Sequence, residues 1–168
     1  NIEKIQWTFL EAPYTVSKNK FSWFDGNDEV GWKYQESFDL LSDTIVKLNE
    51  KGFSNSNIFL LGFSQGACLI MESMIRQQFS LGGIIAIAGF IGQKEKFKTD
   101  IMPGNRNTSV LLIHGNKDEV ILPEESKIAS KLFSDAGFKT KFYSISAGHK
   151  IPLQARGLIK DFLLKEKY

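Results

Sequence analysis

Cysteine is almost absent from this chain: Cys68 stands alone among 168 residues, so no internal disulfide can form. Only two histidines, His114 and His149, accompany it, too few donors with one thiol for a closed zinc site. No apolar run approaches the roughly 20 residues of a membrane-spanning helix, and the start lacks the basic and apolar segments of a signal peptide. Stable membrane insertion is therefore not expected, and a reducing, cytoplasmic setting is. Charge of one sign is lacking too: 21 basic against 19 acidic side chains leave a net charge of +2, scattered along the chain. That balance excludes the electrostatic footprint of a nucleic-acid binder. With four prolines, 14 glycines and 42% hydrophobic residues, disorder and fibrous repeats are excluded. The length fits one domain spanning residues 1–168. The first residue is Asn1 rather than Met, so a longer native N-terminus is expected.

What the sequence does contain is alternation. Short runs rich in Val, Ile and Phe at residues 5–10, 57–63, 82–88 and 109–114 read as buried strands. Residues 139–145, with Phe142 among polar neighbours, read as a strand near a sheet edge. Between them lie helical stripes. Tyr34, Phe38, Leu41, Ile45 and Leu48 recur every three or four residues and stop at Gly52. Ile128, Ala129, Leu132, Phe133 and Ala136 form a second stripe closed by Gly137, and Leu158, Ile159, Phe162 and Leu163 a third. Strands alternating with helices call for a mostly parallel sheet with helices on both faces, because parallel neighbours need crossover helices. Residues 13–31 read as an irregular loop, dense in aromatics at Trp23 and Phe24 with Trp32 just beyond. Such a loop either packs over the core or walls a substrate site. Residues 93–98 read as a solvated loop.

The chemistry concentrates at Gly62, Phe63, Ser64, Gln65 and Gly66, a G-x-S-x-G sequence between an apolar strand and a helical stretch. A sharp strand-to-helix turn there strains the serine backbone and exposes its hydroxyl, and small residues two before and two after it relieve the crowding. The N–H of Gln65 would face an oxyanion from the helix N-terminus. A serine hydroxyl needs a base, and that base an orienting carboxylate. His149 lies in a loop after the last strand and is the better base. His114 ends an apolar strand and reads as a hydrogen-bonded support. Asp118 and Glu119 both follow that strand, with Asp118 favoured as nearer the strand end. The order Ser64, Asp118, His149 puts all three at C-terminal ends of strands, where open α/β sheets hold their sites. Cys68, four residues beyond Ser64, reads as a buried core thiol. Phe90 and Ile91, on the same rim, divide between an acyl pocket and simple packing.

Gly62 to Ala67 (GFSQGA), His114 to Asp118 (HGNKD), and Gly148, His149 with Ile151 resemble the phospholipase/carboxylesterase family of α/β-hydrolases, which includes acyl-protein thioesterases. Ala12, Pro13, the run Ser22 to Asp25, the pair Gly89 and Phe90, and Pro123 with Glu124 follow the family's order of landmarks across essentially the whole chain. The resemblance implies Ser64 as nucleophile, His149 as base and Asp118 as orienting acid. It implies hydrolysis of a small-molecule or acyl-protein ester or thioester, without metal or cofactor. Two departures stand out. Pro123 lies five residues after Asp118, where relatives commonly have four. Upstream of residues 5–10, relatives carry further strands and a His-Gly loop that supplies a second oxyanion donor, and this chain has neither. The N-terminal strands are thus expected to be missing, with the gap falling mid-sheet. A non-catalytic or weakly active binding protein on the same scaffold is the alternative.

Overall fold

The computed structural model describes residues 5–27 and 29–165. At its centre are four parallel strands in sequential order, β5 (Phe59–Phe63), β6 (Gly83–Ile87), β7 (Ser109–Gly115) and β8 (Thr140–Ile145). The register runs from Phe63 beside Ile87, through Ile87 beside Ile113, to Gly115 beside Ile145. Their C-terminal ends therefore form one rim. Alternate residues face opposite sides, as the pleat requires. Ile84, Ala86, Val110 and Leu112 meet the helices α1 (Gln35–Glu50), α2 (Gln65–Ile75) and α4 (Pro123–Asp135). Ile85, Ile87, Leu111 and Ile113 meet α5 (Ala155–Lys165) through Ala155, Phe162 and Leu163. A sheet covered on both faces is the expected α/β arrangement.

The first helical stripe closes as anticipated. Gly52, at φ +91°, turns the chain away from α1 in a conformation that side chains resist. Gly137 ends α4 the same way, at φ +87°. No described helix is long and apolar enough to cross a membrane.

Three expectations need correction. Residues 5–10 form no strand. Trp7 and Phe9 are 51% and 88% exposed, while Leu10 and Ile5 touch the cores of opposite sheet faces. A strand exists through its ladder hydrogen bonds, and among the described residues β5 pairs only with β6, so this run has no ladder to join. Residues 13–31 are not merely irregular. They contain two antiparallel hairpins, β1 (Tyr14–Ser17) with β2 (Lys20–Ser22) and β3 (Asp25–Asn27) with β4 (Gly31–Lys33), the second ending just beyond that range. Most of these residues are exposed, so no burial alternation marked them. Residues 93–98 are more than a solvated loop, because they lead into α3 (Phe97–Asp100) and Phe97 is fully buried. The Phe97 ring meets Phe133 edge to face at 4.9 Å, a contact that one charged neighbourhood in the sequence conceals.

Candidate active site

The turn between β5 and α2 is where the backbone is most constrained. Ser64 has φ +52° and ψ −118°, a region that residues with a Cβ seldom occupy. Two features hold it. Its N–H donates to the carbonyl of Ile87 across the sheet at 2.9 Å, and its own carbonyl accepts from Ala67 and Cys68 in the first turn of α2. The close reversal also dictates Gly62: a Cβ there would overlap the Gly66 carbonyl and lie 2.6 Å from Ala67 N. Gly66 departs from expectation, since a Cβ on it would meet only Trp23 Nε1 at 3.7 Å, an ordinary contact.

Asp118 and His149 come from the ends of β7 and β8, laced together at their tips. Asn116 N–H donates to Ile145 O and Lys117 N–H to Ala147 O, at 2.8 and 2.9 Å. The two loops pass so closely that a Cβ on Gly115 would overlap the Ala147 carbonyl, which gives the glycine after His114 its reason. His149 Nδ1 lies 2.7 Å from Asp118 Oδ2, and Nε2 lies 3.0 Å from Ser64 Oγ. Asp118 Oδ1 accepts the N–H groups of Val120 and Ile121 at 2.9 and 3.0 Å. Burial works to raise the Asp118 pKa, but the His149 hydrogen bond, together with these two amides, outweighs it and holds the carboxyl below its ordinary value. Glu119 points to solvent.

His114 is fully buried, with Nδ1 2.6 Å from Ser126 Oγ and Nε2 2.9 Å from Ile121 O. Its Nε2 also lies 3.3 Å from Asp118 Oδ2. It stands behind the acid as a support, as its strand position suggested. Phe63, unremarked in the sequence, packs its ring 4.8 Å from that of His149. The only available signal was its place next to Ser64.

The remaining named residues part company. Gln65 sits at the first position of α2, where a backbone N–H has no intrahelical acceptor. Its side-chain oxygen accepts from Trp23 N–H at 3.4 Å and lies 3.2 Å from Ser22 Oγ, tying the segment carrying Trp23 and Phe24 over the turn. A cavity of about 340 Å³ opens beside Gln65, walled by Phe24, Trp32, Tyr34, Phe38 and Phe90. Trp23 lies outside that lining, against Gly66. Ile91 is 1% exposed and belongs to the core under α2, so of the two rim residues only Phe90 faces the cavity. Tyr34 and Phe38 were legible only as part of a helical stripe. Cys68 also reaches the cavity, and burial, reinforced by the charge of Glu72, pushes its thiol up to about 12. It stays protonated and unreactive.

Comparison with known proteins shows the family and the fold. The phospholipase/carboxylesterase family model matches residues 2–166. Acyl-protein thioesterase 1 of Debaryomyces hansenii is 28% identical over 185 aligned positions, covering 98% of this chain and 79% of that protein. Acyl-protein thioesterase 1 of Kluyveromyces lactis is 31% identical over 130 positions, covering 73% of this chain and 57% of its own length. Among solved structures, esterase PE8 superposes with a TM-score of 0.79 at 26% identity, covering 92% and 75% of the two chains. Arabidopsis thaliana SOBER1 reaches 0.85 at 23% identity, covering 96% and 84%, a likeness of fold.

The two glycines of the turn separate in a direct test. Gly62→Ala should lower the thermal midpoint by several degrees and distort the Ser64 turn, because backbone rather than a flexible side chain opposes the new methyl. Gly66→Ala should change the midpoint by less than about 2 °C. Calorimetry of both variants checks the pair, and equal losses would contradict the geometry.

Proposed function

The chain belongs to the phospholipase/carboxylesterase family of α/β-hydrolases, and from that premise we propose that it is a serine hydrolase cleaving carboxylic esters or thioesters through an acyl-enzyme. The observation that carries the reading is the relay of Ser64 Oγ, His149 Nε2 and Nδ1, and Asp118 Oδ2, at 3.0 and 2.7 Å. These are hydrogen-bonding distances at both junctions.

In this reading Ser64 Oγ attacks the substrate carbonyl carbon while its proton passes to His149 Nε2. The resulting imidazolium keeps its Nδ1–H bond to Asp118, whose ionised carboxylate stabilises the new positive charge. The former carbonyl oxygen, now negative, receives the Gln65 N–H at the start of α2, where the helix dipole adds to the donor. Collapse of this intermediate expels the alcohol or thiol, which takes the proton from His149. Water then attacks the acyl-enzyme with His149 again accepting a proton, releasing the carboxylic acid and restoring Ser64. The aromatic cavity beside Gln65, with Phe24 and Phe90 among its walls, would take the acyl chain. The substrate is then a small acyl ester or an acylated protein.

Three measurements test the assignment. A fluorophosphonate probe should label Ser64 alone, because an ordinary serine lacks an adjacent base and Ser126, which does lie against His114, is fully buried, and Ser64→Ala should abolish the label; labelling at another serine would remove the nucleophile from this reading. Asp118→Asn should lower kcat by roughly four orders of magnitude, by analogy with the loss of tautomer control in other triads. Glu119→Gln should leave kcat within about twofold, since that side chain faces solvent and surface changes seldom propagate. A reversed outcome would make Glu119 the acid. Finally, kcat/KM should climb with pH along one acid limb, because a protonated imidazole cannot accept the Ser64 proton. The depressed Asp118 pKa keeps that carboxylate ionised and out of the limb. A flat profile between roughly pH 5 and 8, the range in which histidine charge ordinarily changes, excludes a histidine base.

A further inference from the structure

The far wall of the cavity holds a group the reaction does not use. Glu72 is 5% exposed and lines the same space as Phe90 and Phe38. A buried carboxylate is costly unless its oxygens are engaged, and both of these are. Oε1 accepts the N–H of Gly92 at 2.9 Å and of Gln93 at 3.1 Å. Oε2 takes Arg76 Nη1 at 2.7 Å. Arg76 in turn donates to the Glu72 carbonyl, pairs with Asp100 on α3 through Nη2 at 2.5 Å, and lies 5.7 Å from the centre of the Phe38 ring. Gln93 Nε2 donates to Tyr34 Oη at 3.2 Å. One carboxylate thus holds the strap that follows Phe90, and its guanidinium partner stands against the opposite wall.

Position along α2 gives this cluster a length scale. Cys68 and Glu72, four residues apart on α2, both line the cavity, and Ser64 stands four residues before Cys68 at the start of the helix. Eight residues at 1.5 Å rise place Glu72 about 12 Å from Ser64 along the helix axis. With carbon–carbon bonds of about 1.5 Å, an extended chain advances roughly 1.3 Å per carbon, so the space between them accepts at most roughly nine carbons.

We propose that Glu72 is a specificity-determining positioning residue: it pins residues 90–93 as the cavity's far wall and so limits the acyl chain to short and medium length. The inference rests on Ser64 as nucleophile and on the cavity as the acyl site.

The test compares kcat/KM for 4-nitrophenyl dodecanoate and 4-nitrophenyl butanoate in the full chain and three variants. Wild type should prefer butanoate. Glu72→Ala should raise the dodecanoate-to-butanoate ratio at least tenfold, with the change carried by KM, whereas damage to the Ser64 relay lowers both rates in proportion. Glu72→Gln should stay within threefold of the wild-type ratio, since its amide oxygen can still accept from Gly92 and Gln93 while Arg76 keeps the Glu72 carbonyl and Asp100. The double variant Glu72→Met with Arg76→Met removes both charges of the buried pair together and leaves unpaired the carboxylate of Asp100, which is partly exposed and can be solvated. Its ratio should also rise, because the strap is released, and a wild-type ratio there would overturn the pinning. An unchanged ratio in folded Glu72→Ala protein overturns the proposal outright. Calorimetric titration of Ser64→Ala protein with butanoate, octanoate and dodecanoate reads the same cavity without turnover. If wild type hydrolyses neither ester and Ser64 takes no label, the hydrolase reading fails, and this titration still decides the role of Glu72: the chain length bound most tightly should increase with Glu72→Ala, and an identical series overturns it.

Discussion

The reversal at Ser64 is the constraint on which the site depends. A residue with a Cβ at φ +52° is unfavourable by itself, and it persists because neighbours on both sides over-determine it. β6 receives its N–H through Ile87 O, α2 begins immediately after it, and Gly62 lets the two elements close upon each other. Release any of these and the hydroxyl would swing away from His149. The strain is therefore stored in a place where the sheet and the first turn of a helix are both already buried and bonded.

From that fixed point the rest of the rim can be read as successive supports. Parallel register brings the ends of β5, β6, β7 and β8 level, so residues far apart in sequence arrive within hydrogen-bonding reach. Asp118 is held by two amides of its own loop, and His149 by Asp118 on one side and the Phe63 ring on the other. Gln65 serves twice, its backbone at the mouth of α2 and its side chain anchoring the aromatic segment above. Behind the cavity, Glu72 holds the amides of Gly92 and Gln93 and pairs with Arg76. Its charge is tolerated out of water because both carboxylate oxygens are engaged, one by two amides and one by a guanidinium.

Much of this was legible one residue at a time. The periodicities at Tyr34 to Leu48 and Ile128 to Ala136, each closed by a glycine with positive φ, marked α1 and α4 because an amphipathic stripe needs only local spacing. Continuous apolar runs marked β5, β6 and β7 because strands covered on both faces have no polar side to show. The same rule misread residues 5–10, which are as apolar as a strand but have no described neighbour to pair with. It also passed over β1 to β4, whose hairpins are held by backbone ladders beneath mostly exposed side chains and leave no hydrophobic alternation.

Residue order already carries the candidates at the rim: a serine between glycines, a histidine and an acid in the order of an α/β-hydrolase, and the alternation that makes the parallel sheet beneath them. These follow from local sterics and from spacing, which a linear chain records. Packing brings the favoured Asp118, and not Glu119, to His149, and it alone turns Ile91 into the core while Phe90 faces the cavity and carries Glu72 across to Gly92 and Gln93. Each of those is a contact between residues brought together by packing, where the direction of one side chain depends on the volume left by others. No spacing along the chain encodes that volume.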